Sequence, residues 1–177
     1  MFRQTAFGMA LSTLVLVSGL TTNTYVRGNT HKQKPTENQT PAVQPTRIAL
    51  STTLEKSVFT QINRFRISHG LRKLALNANI SRQARIHSLN MARGKVPFSH
   101  QGFIRRVNSL PIGYSGAAEN VAFNQGYNDP ANEAVIGWLN SPGHLENIKG
   151  NYNLTGIGVA TNSKGEVYLT QLFLRSK

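Results

Sequence analysis

For residues 50–177, the 177-residue sequence predicts an α+β domain, with helices packed on a small, mainly antiparallel sheet. Three observations carry that prediction. Apolar residues recur at helical spacing in two stretches near the start of the region. Residues 157–173 alternate as strands do around a turn. Between them, Pro, Gly, Asn and Asp stand where helices begin and stop.

Thr52 and Glu55 have capping-box spacing, and Leu54, Val58, Ile62 and Phe65 follow at about one or two turns. A first helix is expected from there to near His69, ended by Gly70. Ile80, Ala84, Ser88 and Met91 form the stripe of a second helix, opened by Asn77 or Asn79 and closed by Gly94. Arg82, Arg85 and Arg93 fall off that stripe and face water or a partner. Pro97 to Gly102 reads as a loop, followed by a short helical stretch around Ile104 to Asn108. Asp129 is placed to cap a helix whose first position is Pro130 and whose Val135 and Trp138 point inward. Ser141-Pro142-Gly143 breaks that helix, and His144 to Lys149 adds a further turn. A strand is expected near Glu119 to Ala122. Ile157, Val159, Val167, Leu169, Leu172 and Phe173 flank the turn Asn162-Ser163-Lys164-Gly165 as a terminal hairpin.

Ahead of this domain, an uncharged and mostly apolar stretch runs from Ala6 to about Leu20 behind Arg3. It is short for a bilayer span, which needs about 20 apolar residues, so residues 1–26 read as a signal peptide or N-terminal anchor. Residues 27–49 are Thr, Asn, Gln, Lys and Pro with little to bury, a disordered linker. The expected location is secreted, extracellular or periplasmic, membrane-anchored where the first segment is retained. There is no cysteine, which removes disulfides, thiol nucleophiles and thiolate metal sites.

The formal charge is +13, from 20 Lys and Arg against 7 Asp and Glu. It is uneven: residues 51–110 hold 11 basic residues and one acid, Glu55, whereas residues 111–177 hold four basic and five acidic. A basic first half concentrates anions such as wall polymers, lipid headgroups or nucleic acid; a solvated helix face accounts for the same charge.

Three polar residues stand where a purely structural sequence has little use for them: His100, Glu119 and His144. Two neutral imidazoles can hold zinc or another divalent ion, and a carboxylate can complete the shell, orient a ring or take a proton from bound water. The gaps of 19 and 25 residues match no local metal motif, so spacing alone leaves three unrelated polar residues as the alternative. His87, beside the second helix's apolar stripe, reads as a hydrogen-bonded packing residue, and His69 as a helix-end imidazole. Gly113-Tyr114-Ser115-Gly116 is not a nucleophile elbow, and Gly156-Ile157-Gly158 lacks the third glycine of a dinucleotide loop and lies within an expected strand. Ser99 and Ser141 adjoin histidines but read as turn residues.

The ordered blocks Ala84-x-x-His87-Ser88-x-x-Met91, Phe98-Ser99-His100-x-Gly102, Glu119-Asn120-Val121-Ala122, Trp138 to Ile148, Gly156-Ile157-Gly158-Val159 and Tyr168 to Phe173 resemble the CAP superfamily. That superfamily joins cysteine-rich secretory proteins, antigen 5 and pathogenesis-related proteins; the chain resembles its cysteine-free bacterial members. The resemblance implies a three-layer α-β-α sandwich and a cleft of two histidines and acids that sometimes holds zinc or another divalent ion. His100 and His144 match the histidines and Glu119 the first acid. Where the second acid belongs stand Asn140, Ser141 and Pro142; Glu133 and Glu146 do not match, Leu145 replaces a frequent arginine, and Leu169 an aromatic residue.

Two functions compete on these residues. One is a non-enzymatic extracellular module that binds an anionic envelope polymer or a lipid. The other is a metal-assisted hydrolase of the peptidase kind, with His100 and His144 holding the ion and Glu119, the candidate base, activating water. Nucleic-acid binding is disfavoured, because aromatic residues are not interleaved with the arginines.

Overall fold

The computed structural model describes residues 2–6 and 45–177. Most of the expected signal segment and of the expected linker therefore lie outside the described residues; the linker's last five residues, 45–49, are helical. The described elements are β1 (Phe2–Ala6), α1 (Pro45–Ser68), β2 (Ala75–Leu76), α2 (Ala78–Ala92), α3 (Phe103–Asn108), β3 (Tyr114–Asn124), α4 (Pro130–Leu139), α5 (Pro142–Lys149), β4 (Leu154–Thr161) and β5 (Val167–Ser176).

The sheet order is β1-β3-β5-β4-β2. Its centre is antiparallel: β3 runs against β5 with Glu119 opposite Leu172, and β5 against β4 with Val159 opposite Leu169. The edges are parallel. β1 lies along β3 with Phe2 opposite Ala117 and Ala6 opposite Val121, and the two residues of β2 pair with Leu154 and Thr155 of β4.

Alternation along the strands divides the core into two layers. Ala118 and Ala122 of β3 and Leu169 and Phe173 of β5 face α1, α4 and α5, where they meet Val58, Ile62, Trp138 and Ile148. Ala117, Leu172 and Leu174 face α2 and α3, where they meet Ile80, Ala84, Phe103 and Val107. This is the expected α-β-α sandwich, with its sheet between two helical layers.

The second and fourth helices begin as the sequence indicates. Asn77 caps α2 by accepting from the backbone N–H groups of Asn79 and Ile80, and Asp129 caps α4 by accepting from Asn132. Ile80, Ala84, Ser88 and Met91 are all buried, as the stripe requires. The first helix differs: it begins at Pro45, so Thr52 and Glu55 lie well inside it and form no capping box. Glu55 instead turns inward, accepting from Arg85 at 2.8 and 2.5 Å and from the backbone N–H of Val159 at 3.2 Å. Ser141-Pro142-Gly143 ends α4 and also starts α5, with Pro142 in its first turn.

Two packing features fix where the chemistry sits. A Cβ on Gly156 would stand 2.2 Å from the backbone nitrogen of Ser81, and one on Gly158 2.1 Å from that of Arg85. The glycines thus let α2 rest on the bare backbone of β4, which explains a Gly-x-Gly sequence inside a strand. On the other layer, Arg66 is buried at 2% exposure. Its guanidinium donates to the carbonyls of Arg72 at 2.9 Å, Ile148 at 2.5 Å and Gly150 at 3.0 Å. A cation on the carbonyls at the end of α5 complements both the acceptors and the helix dipole.

Candidate functional site

Glu119 points from β3 into the α2–α3 layer and is fully buried. A carboxylate there needs partners for both oxygens. Arg106 of α3 supplies most of them: Nε donates to Oε2 at 3.0 Å, and Nη2 donates to Oε1 at 2.8 Å and Oε2 at 2.6 Å. His100, in the loop before α3, adds Nδ1 at 2.8 Å from Oε1. Because an ionised carboxylate only accepts, the His100 proton on that side sits on Nδ1. Its Nε2 is buried and has no hydrogen-bond partner among the described residues.

The network extends to α2. Nη1 of Arg106 donates to the carbonyl of Gln101 at 2.7 Å and to Nδ1 of His87 at 3.0 Å. Nε2 of His87 lies 2.8 Å from the carbonyl of Ser99, which can only accept. His87 is therefore neutral, with its hydrogen on Nε2 and its lone pair toward Arg106. Burial first, and the Arg106 charge second, lower its pKa from the ordinary 6.5. Arg106 thus makes five hydrogen bonds within the network.

Gly102, at φ +78°, opens α3 in the left-handed region, and a Cβ there would stand 3.5 Å from Nη1 of Arg106. An open depression of about 1000 Å³ lies outside His100, walled by Phe98, Phe103 and Ile104. A smaller cavity of about 290 Å³ lies between α2 and α3, with His87 and Arg106 in its lining.

His144 is also buried, but on α5. The structure ties that helix to the segment carrying Glu119. Nδ2 of Asn120 donates to the His144 carbonyl at 3.2 Å, and Nδ2 of Asn147 donates to Oδ1 of Asn120 at 2.8 Å and to the Glu119 carbonyl at 3.3 Å. Trp138 likewise donates to the Val121 carbonyl at 3.0 Å. Glu119 belongs to the α2–α3 face and α5 packs on the other. Among the described residues no three His, Asp or Glu side chains come together as a ligand set.

The sequence thus singles out the pair that meets, His100 and Glu119, and reads His87 as a hydrogen-bonded packing residue. It misses Arg106, the hub of the network. The one available signal is that Arg106 falls one turn after Gly102 and Phe103 in a helix too short to bury much else.

Fold and site together define a class: an α-β-α domain in which strand β3 presents a buried carboxylate to a loop histidine. The chain belongs to the cysteine-rich secretory protein (CAP) family, whose model matches residues 59–173. Among curated proteins of Bacillus subtilis, it is 36% identical to the uncharacterized protein YkwD over 125 residues, 68% of this chain and 46% of that one. It is 34% identical to the uncharacterized membrane protein YlbC over 131 residues, 71% of this chain and 36% of that one. The chain therefore spans less than half the length of either relative. Among solved structures, an extracellular SCP-domain protein of Bacillus anthracis superposes with a TM-score of 0.62 at 26% identity, covering 77% of this chain and 45% of that one. An outer surface protein of Borrelia burgdorferi shares the fold, with a TM-score of 0.60 at 18% identity over 71% of this chain and 94% of that one.

Proposed function

We propose that the chain is an extracellular or surface-held binding module for an anionic component of the cell envelope, and that it works without catalysis. One observation carries this reading: the carboxylate of Glu119 has no exposure, and both its oxygens are occupied by Arg106 and His100. A general base must reach the water or substrate proton it removes. Here the group is committed to holding α3 and the His100 loop against β3.

The donor set also fits a divalent ion poorly. The Arg106 guanidinium, 2.6 Å from Glu119, already supplies the positive charge that a dication would bring. No third acid or histidine joins His100 and Glu119 among the described residues. His100 and His144 remain the residues to test for zinc, and no step of the proposed function passes through it.

The surface favours anions. Nine of the 11 basic residues between positions 51 and 110 are exposed, whereas Glu55, the one acid there, is buried. The Bacillus anthracis and Borrelia burgdorferi proteins are described as extracellular and as an outer surface protein. That supports the same location for this chain. Among the described residues no helix is long and apolar enough to cross a membrane.

The test is retention of the full chain on isolated wall preparations and on anionic vesicles across a salt series. Retention at low salt, released as the Debye length shortens, is the expected result. An absence of retention at any salt sinks the reading. So does peptidase turnover that a chelator, or the H100A/H144A double variant, abolishes.

A further inference from the structure

The cavity of about 290 Å³ between α2 and α3 shares a wall with the Glu119 network but has its own chemistry. From α2 it receives Gln83, Ile86 and Asn90, from α3 Arg105, and from the end of α3 the capping Ser109. On a helix Gln83 and Asn90 lie seven positions apart, two turns along one face, with Ile86 between them. Both amides are half-buried, and neither has a side-chain hydrogen bond among the described residues. Each amide can donate and accept, so both are available to a ligand in the cavity.

The charge of the cavity is equally specific. No aspartate or glutamate lines it. Arg106 is already held by five hydrogen bonds, and Glu119 cancels its charge. His87 is neutral. Arg105 remains: it is exposed and forms no ion pair among the described residues. Its Nη2 lies about 4.0 Å from where a Cβ on Gly102 would stand, on the same glycine that Arg106 approaches. The cavity therefore offers one uncompensated cation and two amides beside the hydrogen-bonded Arg106 and His87.

We propose that this cavity is the subsite in which one singly charged oxyanion of the envelope ligand, a phosphodiester or a carboxylate, pairs with Arg105. Gln83 and Asn90 hydrogen-bond the polar atoms beside that charge. The volume is at the low end for small-molecule sites, so it takes one charged group and its neighbouring atoms rather than a whole repeat of a polymer. The inference rests on the proposed function and deepens it: the exposed cations supply attraction at long range, and this cavity supplies the fixed contact.

The test titrates the full chain with dimethyl phosphate and, separately, acetate, holding ionic strength constant with chloride. It follows the side-chain amide signals of Gln83 and Asn90 by NMR. Saturable shifts of those two amides are expected. R105Q should weaken the binding about tenfold or more, and R82Q, an exposed α2 cation outside the cavity, should leave it within about twofold. The probe that saturates at lower concentration identifies the oxyanion. Shifts that never saturate, or equal losses in R105Q and R82Q, overturn the subsite and leave only a diffuse basic field.

Wall retention of the wild type, measured in parallel, separates the two proposals. Retention without a saturable probe site removes the subsite and keeps the binding function. A saturable site at Arg105 without retention removes the envelope function and keeps a small-anion site.

Discussion

Replacing Glu119 with glutamine tests the network at its centre. The substitution keeps the shape of the side chain but removes its charge, leaving the Arg106 guanidinium, 9% exposed, beside an amide that sets N–H groups against N–H groups. Breaking one partner out of a buried pair costs about 3–5 kcal/mol, with little discount for solvent because Glu119 has no exposure. Domains of this kind have roughly 5–15 kcal/mol in total, so E119Q should remove a third or more of the stability of an average one. Trp138 offers a direct readout: it is the only tryptophan, it is fully buried, and its indole donates to Val121, two residues from Glu119. Urea unfolding followed by its fluorescence should show a much lower midpoint with an unchanged slope. The double variant R106M/E119M should recover only part of the loss, because it removes both charges together but leaves His100, His87 and the Gln101 carbonyl without these partners. A loss below about 1 kcal/mol for E119Q refutes the picture of a tightly coupled buried pair.

Three further outcomes follow from the same contacts. His87 binds its proton less readily folded than unfolded, so the unfolded chain takes up more protons as pH falls below the ordinary 6.5. Stability should therefore fall through that window toward the lowered folded value, and H87Q should show a shallower fall between about pH 7.5 and 5.5 in urea midpoints. G158A should destabilise by about 3 kcal/mol, the upper range for overpacking, because its methyl meets backbone and not a movable side chain. An unfolding midpoint at or above wild type would show that α2 yields easily. R66M strips the cation from the carbonyls of Ile148 and Gly150 and should cost on the order of 3 kcal/mol. It should also speed hydrogen exchange in the last turn of α5 more than in α2, and uniform acceleration would argue against a local clamp.

Much of this architecture is legible along the chain because local chemistry specifies it. Asn77 and Asp129 announce α2 and α4 by capping, and the α2 stripe is buried residue for residue. The start of α1 is not legible from Thr52 and Glu55, whose spacing imitates a cap while Glu55 serves a contact with Arg85 and Val159, the latter 104 positions away. β2 carries no pattern of its own, since its two residues are defined by pairing with β4. The same distinction holds at the site. His100 and Glu119 stand out as residue types in a family-like order, whereas Arg106 is one cation among 11 in its region until folding places it against a carboxylate 13 positions away. Asn147 stands in the family-like block from Trp138 to Ile148, but that it fastens α5 to β3 is visible only in the fold, where it bonds a backbone carbonyl and another amide.

The contact of α2 with the naked main chain at Gly156 and Gly158 divides that helix by face. One face closes on the sheet, where a methyl group on either glycine would collide with backbone, while Gln83, Ile86 and Asn90 line the cavity beside it. In the proposed subsite, exchanging those three side chains would alter the contacts offered to a ligand and leave the glycine seat untouched.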